Sequence, residues 1–518
     1  MAIVYILGAC IALVVFHLLR NFFRPGLSSI PGPWPAKFTR MHRTFEMARN
    51  NHLTWVMNLH RKHGDYVRIA PNLVSIADPL LIDRIFSTNQ DFLKADYMVP
   101  FEKVVDGKTV HGMVDTQDRL EHRAKRQPVS STYAMSNIIA FEPRVDDTIR
   151  CLIKRLDDEF VRTSKACDIN HWMQYFAFDV IGEVTLSHRV GFLDAGYDIN
   201  DMLNWIEKIS DYRAISGCAP WTHRFIMGNA ILRRVAPSDP FIQRSTRLFR
   251  ERMAAEKMPT EKKEDMISHF AEIKRKHPEV PDHVVIQWVY TNFLAGSDTT
   301  SVVLRACMYY MARYPAMQKR LQDELDAEVA TYPVTWKCVQ KLPYVNAFIS
   351  EIMRYQPLGG FMIERVVPEQ GLELSNGQRL PGGTNIGVNA GPMHRNKRAF
   401  GEDAEVFRPE RWLRMDGETQ ENFDNRIRTM KKADIFFSKG PRVCLGIHLA
   451  KLEIYKVVPT LVGLFDIELA DPTKEMKYAE RFFCKQYDMD VILRWRNNAD
   501  VSALQLETVV PITELGVI

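Results

Sequence analysis

Apolar residues run almost unbroken from Ile3 to Leu19, with His17 the only interruption, and the run ends in Arg20, Asn21, Phe22, Phe23, Arg24 and Pro25. At about 1.5 Å of rise per residue, such a helix spans a thin bilayer of about 27 Å. With no basic stretch before it and no small-residue cleavage site after it, a retained anchor is expected in place of a cleaved signal peptide. Arg20 and Arg24 favour the cytosol on the C-terminal side. Ser28-Ser29-Ile30-Pro31-Gly32-Pro33-Trp34-Pro35 then reads as a stiff spacer.

The period changes beyond the spacer. A helical pattern from Trp55 gives way at Tyr66 to Tyr66–Ala70 and Leu73–Ile76, two short strand-like runs joined at Pro71-Asn72. From about Arg119 to Met353, long amphipathic helical patterns dominate, broken by Pro and Gly. A second strand-rich stretch follows, with turns at Asn376-Gly377 and Pro381-Gly382-Gly383. The last helix, Ile447 to Phe465, leads to a strand at Met489–Trp495. No linker, charge block or repeat divides His52 to Arg496. The pattern predicts a mainly α fold with a minor β region. Residues 1–24 are the anchor, 25–50 a proline-rich hinge and 51–518 one large domain, with the tail 497–518 unassigned.

Composition adds limits. A chain of 518 residues with 46% hydrophobic content buries a large core, and a dispersed net charge of +5 gives no nucleic-acid surface. The eight cysteines are scattered, without a C-x-x-C pair, which points to a reducing compartment.

One of those cysteines stands in a distinctive setting, Phe437-Ser438-Lys439-Gly440-Pro441-Arg442-Val443-Cys444-Leu445-Gly446. A thiolate at neutral pH requires a metal, nearby cations or backbone N–H donors, since a free thiol titrates near about 8.5. Gly440 and Pro441 force a turn, Arg442 adds positive charge, and the helix opening at Leu445-Gly446 aims its first amides at the sulfur. Gly446 allows a flat ligand close to the backbone. A buried structural cysteine after a turn is the plain alternative.

The loop resembles the haem-binding segment of the cytochrome P450 family, Phe-x-x-Gly-x-Arg-x-Cys-x-Gly, with all five specified positions present. The resemblance implies haem b with Cys444 as the axial iron ligand, and Phe437, Gly446 and Arg442 around the cofactor. Further segments match in family order. Ala295-Gly296-Ser297-Asp298-Thr299-Thr300 lies mid-helix, where a glycine costs about 1 kcal/mol relative to alanine. It resembles the family's oxygen-activating helix, which implies that Gly296 makes room for dioxygen and that Asp298 and Thr299 relay protons. Glu351 and Arg354, three apart on one helical face, together with Arg411 of Phe407-Arg408-Pro409-Glu410-Arg411-Trp412, resemble the family's buried structural triad. The resemblance assigns His122, Arg126, Arg365 and Arg442 to the haem propionates, His122 standing where many members have Trp. Phe178–Leu186 followed by Gly191-Phe192-Leu193 looks like the fungal pisatin-demethylase-like branch.

The implied function is a membrane-anchored monooxygenase that inserts one atom of dioxygen into a lipophilic small molecule, in keeping with a fungal secondary metabolite. Its electrons come from a separate NADPH–haemoprotein reductase, and it sits in the endoplasmic reticulum membrane facing the cytosol. By analogy the substrate pocket draws on the stretch from Tyr97 to Val114, on Val289 and Phe293, on Leu358 to Met362 and on Phe482 and Phe483. Lys431, Lys432 and Lys439 offer a basic surface to an acidic electron donor. The rivals are haem-thiolate isomerase or dehydratase chemistry without external electrons, and a non-catalytic, membrane-tethered haem-binding protein.

Overall fold

The computed structural model describes residues 1–88, 91–105, 108–229, 239–255, 265–497, 504 and 506. The apolar run forms helix α1 (Ala2–Phe22), whose residues are exposed almost throughout and reach a mean hydropathy of 2.6. Its last carbonyls lack intrahelical partners. Arg68 supplies them: its fully buried guanidinium donates to the carbonyl oxygens of Asn21, Phe22, Leu27 and Pro71. The segment expected to be a proline-rich hinge differs from that reading. It folds into two short helices, Trp34–Phe38 and Met41–Ala48, because Pro35 falls in a first helical turn where its missing N–H costs nothing. Arg43 of the second helix forms a buried ion pair with Glu364 at 2.6 Å, which ties the segment into the body.

Strands β1 (Tyr66–Ala70), β2 (Leu73–Ile76), β3 (Leu93–Lys94), β4 (Ile363–Val366) and β5 (Asn385–Val388) make one sheet in the order β1-β2-β5-β4-β3. Only β2 and β5 run parallel, with Asn385 opposite Leu73 and Val388 opposite Ile76. The sheet thus joins the strand pair near the N-terminus to the later strand-rich stretch. The predicted last strand is found at Asp490–Trp495, and Leu504 of the tail is buried in the helical core.

Six helices of the body position the site: α2 (Arg119–Arg126), α3 (Ile169–Leu186), α4 (Met202–Cys218), α5 (Asp282–Arg313), α6 (Pro343–Tyr355) and α7 (Ile447–Leu464). α5 packs along α3. A Cβ on Gly296 would meet Ile181 Cδ1 of α3 at 2.8 Å, so this mid-helix glycine lets α3 and α5 approach closely with the Ile181 side chain between them. The carboxylate of Asp179 explains why Phe178–Leu186 and Gly191-Phe192-Leu193 go together. It accepts the backbone N–H groups of Gly191, Phe192 and Leu193 at 2.8, 3.2 and 2.8 Å.

Candidate active site

Gly440 takes φ +67°, and a Cβ there would lie 1.9 Å from the Phe86 carbonyl oxygen, so only glycine allows this turn. A 3-10 turn over Gly440–Arg442 follows, and the Cys444 N–H donates to the Phe437 carbonyl at 2.8 Å. The sulfur faces a cavity of about 370 Å³. Cys444 counts as exposed, yet protein surrounds it on nearly every side: it is open to the cavity and not to bulk solvent. Burial pushes its thiol up, against opposing pulls from the Gly446 N–H and from Arg126. Phe437 and Gly446 line the cavity, and beside Gly446 a Cβ would meet only open space.

Arg126 is the cation that acts on the sulfur. Arg442, expected in that role, donates instead to the carbonyls of Thr116, Gln117 and Asp118 at 2.8, 3.1 and 3.4 Å, bracing the N-terminus of α2. It still lines the cavity, as do His122, Arg126 and Arg365. Lys94, which the sequence did not single out, lines it too. Among the described residues none of these five makes an ion pair with a carboxylate. They lower one another instead: burial and then Arg442 bring Arg365 down to about 10, and burial with Arg442, Arg126, Lys94 and Arg365 takes His122 to about 3. Such a cluster is costly unless an anion lies opposite it, and among the described residues no carboxylate forms an ion pair with any of its members.

Thr299 and Gly296 face the same cavity from α5. The Thr299 hydroxyl donates to the Ala295 carbonyl at 2.6 Å, a back-bond that loosens the helix at this point. Asp298 does not reach the cavity. One residue on a helix turns the side chain by about 100°, and Asp298 faces a second cavity of about 30 Å³ with Glu207, Arg305 and Lys485. Gln174 Nε2 donates to its Oδ1 at 2.7 Å, while burial pushes the carboxyl up and Lys485 and Arg305 pull it back.

Val289 and Phe293 do not line the Cys444 cavity; both are packed in the helical core. Trp288, Thr291 and Asn292 take that place, while Tyr97, Met113, Val114, Leu358, Phe361, Met362, Phe482 and Phe483 line it as expected. Glu453 of α7 was also missed. Its side chain lines the cavity with Oε2 unpartnered, and burial drives its carboxyl well above the usual range, toward the neutral acid.

Below the loop, Glu351 Oε1 and Oε2 accept from Arg354 at 2.7 and 2.8 Å, and Oε1 also accepts from Arg411 Nε at 3.0 Å. All three are buried, and Trp412 Nε1 and the Arg408 N–H complete the carboxylate's shell. Arg354 NH1 donates to the His394 carbonyl, and the His394 ring accepts the Ile435 N–H at 3.0 Å. His394 therefore connects the triad to the segment entering the cysteine loop. A lone histidine in a polar stretch gave no sign of this.

The donor set defines a class. Among the described residues no group of three metal-ligating side chains exists, so a metal at Cys444 would have to bring its remaining ligands with it, as in a porphyrin, whose two carboxylates would find His122 and four basic side chains in this cavity. A profile of the cytochrome P450 family matches residues 31–492, and the chain belongs to that family. Its relatives include the cytochrome P450 monooxygenase vrtE of Penicillium aethiopicum, 35% identical over 96% of each chain. A cytochrome P450 monooxygenase of Aspergillus terreus is 36% identical, over 88% of this chain and 93% of its own. The cytochrome P450 monooxygenase cicH of Emericella nidulans is 35% identical, over 92% and 96%. The protein is a haem-dependent monooxygenase whose cofactor is haem b with cysteine-thiolate ligation of the iron.

Proposed function

We propose that Cys444 is the axial ligand, that His122, Arg126, Arg365 and Arg442 hold the propionates, and that Phe437, Gly446 and Gly296 flank the macrocycle. The observation that carries this reading is one cavity holding a solitary cysteine with Lys94, Arg126, Arg365, Arg442 and a neutral His122, none of them with a carboxylate partner among the described residues. When bound, haem uses two electrons and two protons to place one atom of dioxygen in a C–H bond and the other in water. The chain's residues do the rest. Burial alone keeps the Cys444 thiol protonated, so iron is what makes it a thiolate. Thr299 positions a hydroxyl in the cavity, and Asp298, on the next position, takes protons from the polar side of α5 and passes them toward it. Glu351, Arg354 and Arg411 hold the loop through His394 and act on no proton of the reaction.

The cavity walls support a lipophilic substrate, in keeping with a fungal secondary metabolite, since aliphatic and aromatic side chains taken together outnumber polar ones. Electrons come from an NADPH–haemoprotein reductase docking near Lys431 and Lys439; Lys432 of that cluster already pairs with Asp83 at 2.9 Å. Residues 1–24 anchor the protein in the endoplasmic reticulum membrane, with residues 51–518 as the catalytic domain in the cytosol.

Turnover under ¹⁸O₂ with NADPH and reductase tests the reaction: one ¹⁸O atom enters each product molecule. Product formed without NADPH and carrying no ¹⁸O would instead establish an isomerase, where its oxygen content is unchanged, or a dehydratase, where one water has been lost.

A further inference from the structure

A second lobe of about 140 Å³ opens off the Cys444 cavity, sharing Met113, Thr291, Ala295 and Phe483 with it. Its far wall carries Arg213 of α4, only 8% exposed. Among the described residues Arg213 meets no carboxylate. NH2 donates weakly to the Tyr290 hydroxyl at 3.5 Å, the guanidinium stacks over the Phe101 ring at 4.6 Å, and Nε has no acceptor. A buried cation left this way is destabilising unless an anion arrives.

The acids nearby do not fill that role. On the same helix, Glu207 is taken by Lys485 at 2.7 Å and Asp211 by Arg481. Asp239 accepts from the same Tyr290 hydroxyl at 2.7 Å, so that hydroxyl stands between its carboxylate and Arg213. Asp115 lines the lobe, but its carboxylate is turned to the Gly112 N–H at 2.9 Å and to His111 at 3.7 Å, and burial pushes it toward the neutral form. What remains is one cation with free hydrogen-bonding capacity at the end of an apolar channel.

Taking Cys444 as the centre of the proposed oxygenation, we propose that Arg213 anchors the substrate: the enzyme takes a lipophilic organic acid, its carboxylate on Arg213 and its body extending along α5 into the main cavity. The helix sets the reach. Gly296 and Thr299 lie six and nine residues beyond Tyr290, or roughly 9 and 14 Å along the axis at the α-helical rise, so the oxidised carbon lies at about that distance from the carboxylate. A neutral isostere leaves the guanidinium unpaired and is rejected at the same site.

The experiment is isothermal titration of the holoenzyme with matched pairs of straight-chain acids and primary amides from eight to fourteen carbons, and aryl-alkanoic acids with their amides. Charge-assisted pairing predicts that at least one acid binds about ten- to a hundred-fold more tightly than its amide. Arg213→Gln abolishes that preference, and Arg213→Lys retains part of it. Ser210→Asp, which sets a carboxylate one helical turn from Arg213 in the same lobe, abolishes it without removing the cation. The proposal is overturned if no acid is preferred in the wild type, if none binds, or if the preference survives both Arg213→Gln and Ser210→Asp. Titration heat does not depend on iron chemistry. An Arg213-dependent acid preference in a protein lacking thiolate-ligated haem would therefore sink the oxygenation reading and leave the anchor standing.

Discussion

Asp298 and Thr299 are neighbours in sequence that look into different cavities, and that division assigns them separable effects. Thr299→Ala removes the hydroxyl on the cavity side. NADPH consumption is expected to continue while product falls about ten-fold or more, the balance appearing as peroxide, measured by comparing NADPH, product and peroxide in one assay. Asp298→Asn keeps the Gln174 contact partner but ends proton exchange, so consumption and product fall together by a similar factor. Equal coupling in Thr299→Ala and wild type would contradict the division of roles. Arg126 acts on both the sulfur and the cation cluster. Arg126→Ala is expected to lower haem occupancy of purified protein, read as the ratio of Soret to protein absorbance, with the fold kept by circular dichroism.

At the scale of elements, the largest single loss is expected at α6. Glu351→Ala strands Arg354 and Arg411 in a dry site, a change that typically costs about 3–5 kcal/mol when one partner of a buried ion pair is removed. Urea unfolding of the haem-loaded protein checks it, and a cost under about 1 kcal/mol would show that the triad is not structural. The helix that precedes β1, His52–His63, has its own pH signature. His60 bonds the Gly64 carbonyl and the Ser75 hydroxyl, and burial lowers it from 6.5 to about 4. Between those values the unfolded chain binds a proton that the folded chain refuses, so stability rises with pH through this window and is lost as pH falls. His60→Gln is expected to reduce the slope of stability against pH between about 4 and 6.5 by up to about 1.4 kcal/mol per pH unit.

Local signals made this architecture readable, and their limits mark what was missed. The apolar run of α1, the strand-like runs of β1 and β2 and the motif around Cys444 each depend on residues close in sequence. α5 is different: it is buried on nearly every side from Val284 to Ala312 apart from the cavity-facing positions, so its periodicity does not say which face meets the cavity. That is why Val289 and Phe293 were placed in the pocket and Trp288, Thr291 and Asn292 were not. Lys94, Glu453, His394 and Arg213 were illegible for another reason. Each gains its meaning from partners far along the chain, brought together only by the sheet order and by helix packing.

For the whole molecule, the exposed apolar helix α1 is joined to the body through buried Arg68. Removing residues 1–24 is expected to abolish flotation with phospholipid vesicles while leaving haem binding intact, measured by gradient centrifugation and absorbance. A truncated protein that still floats would move the membrane contact to the body. The family, the cavity, its cations and its lone cysteine converge on one claim, that Cys444 holds haem iron as a thiolate. The most direct measurement is the carbon monoxide difference spectrum of the dithionite-reduced protein. Wild type is expected to show the red-shifted Soret band of thiolate-ligated haem, and Cys444→Ala to lack it. A red-shifted band that persists in Cys444→Ala, or is absent from haem-loaded wild type, would contradict the account.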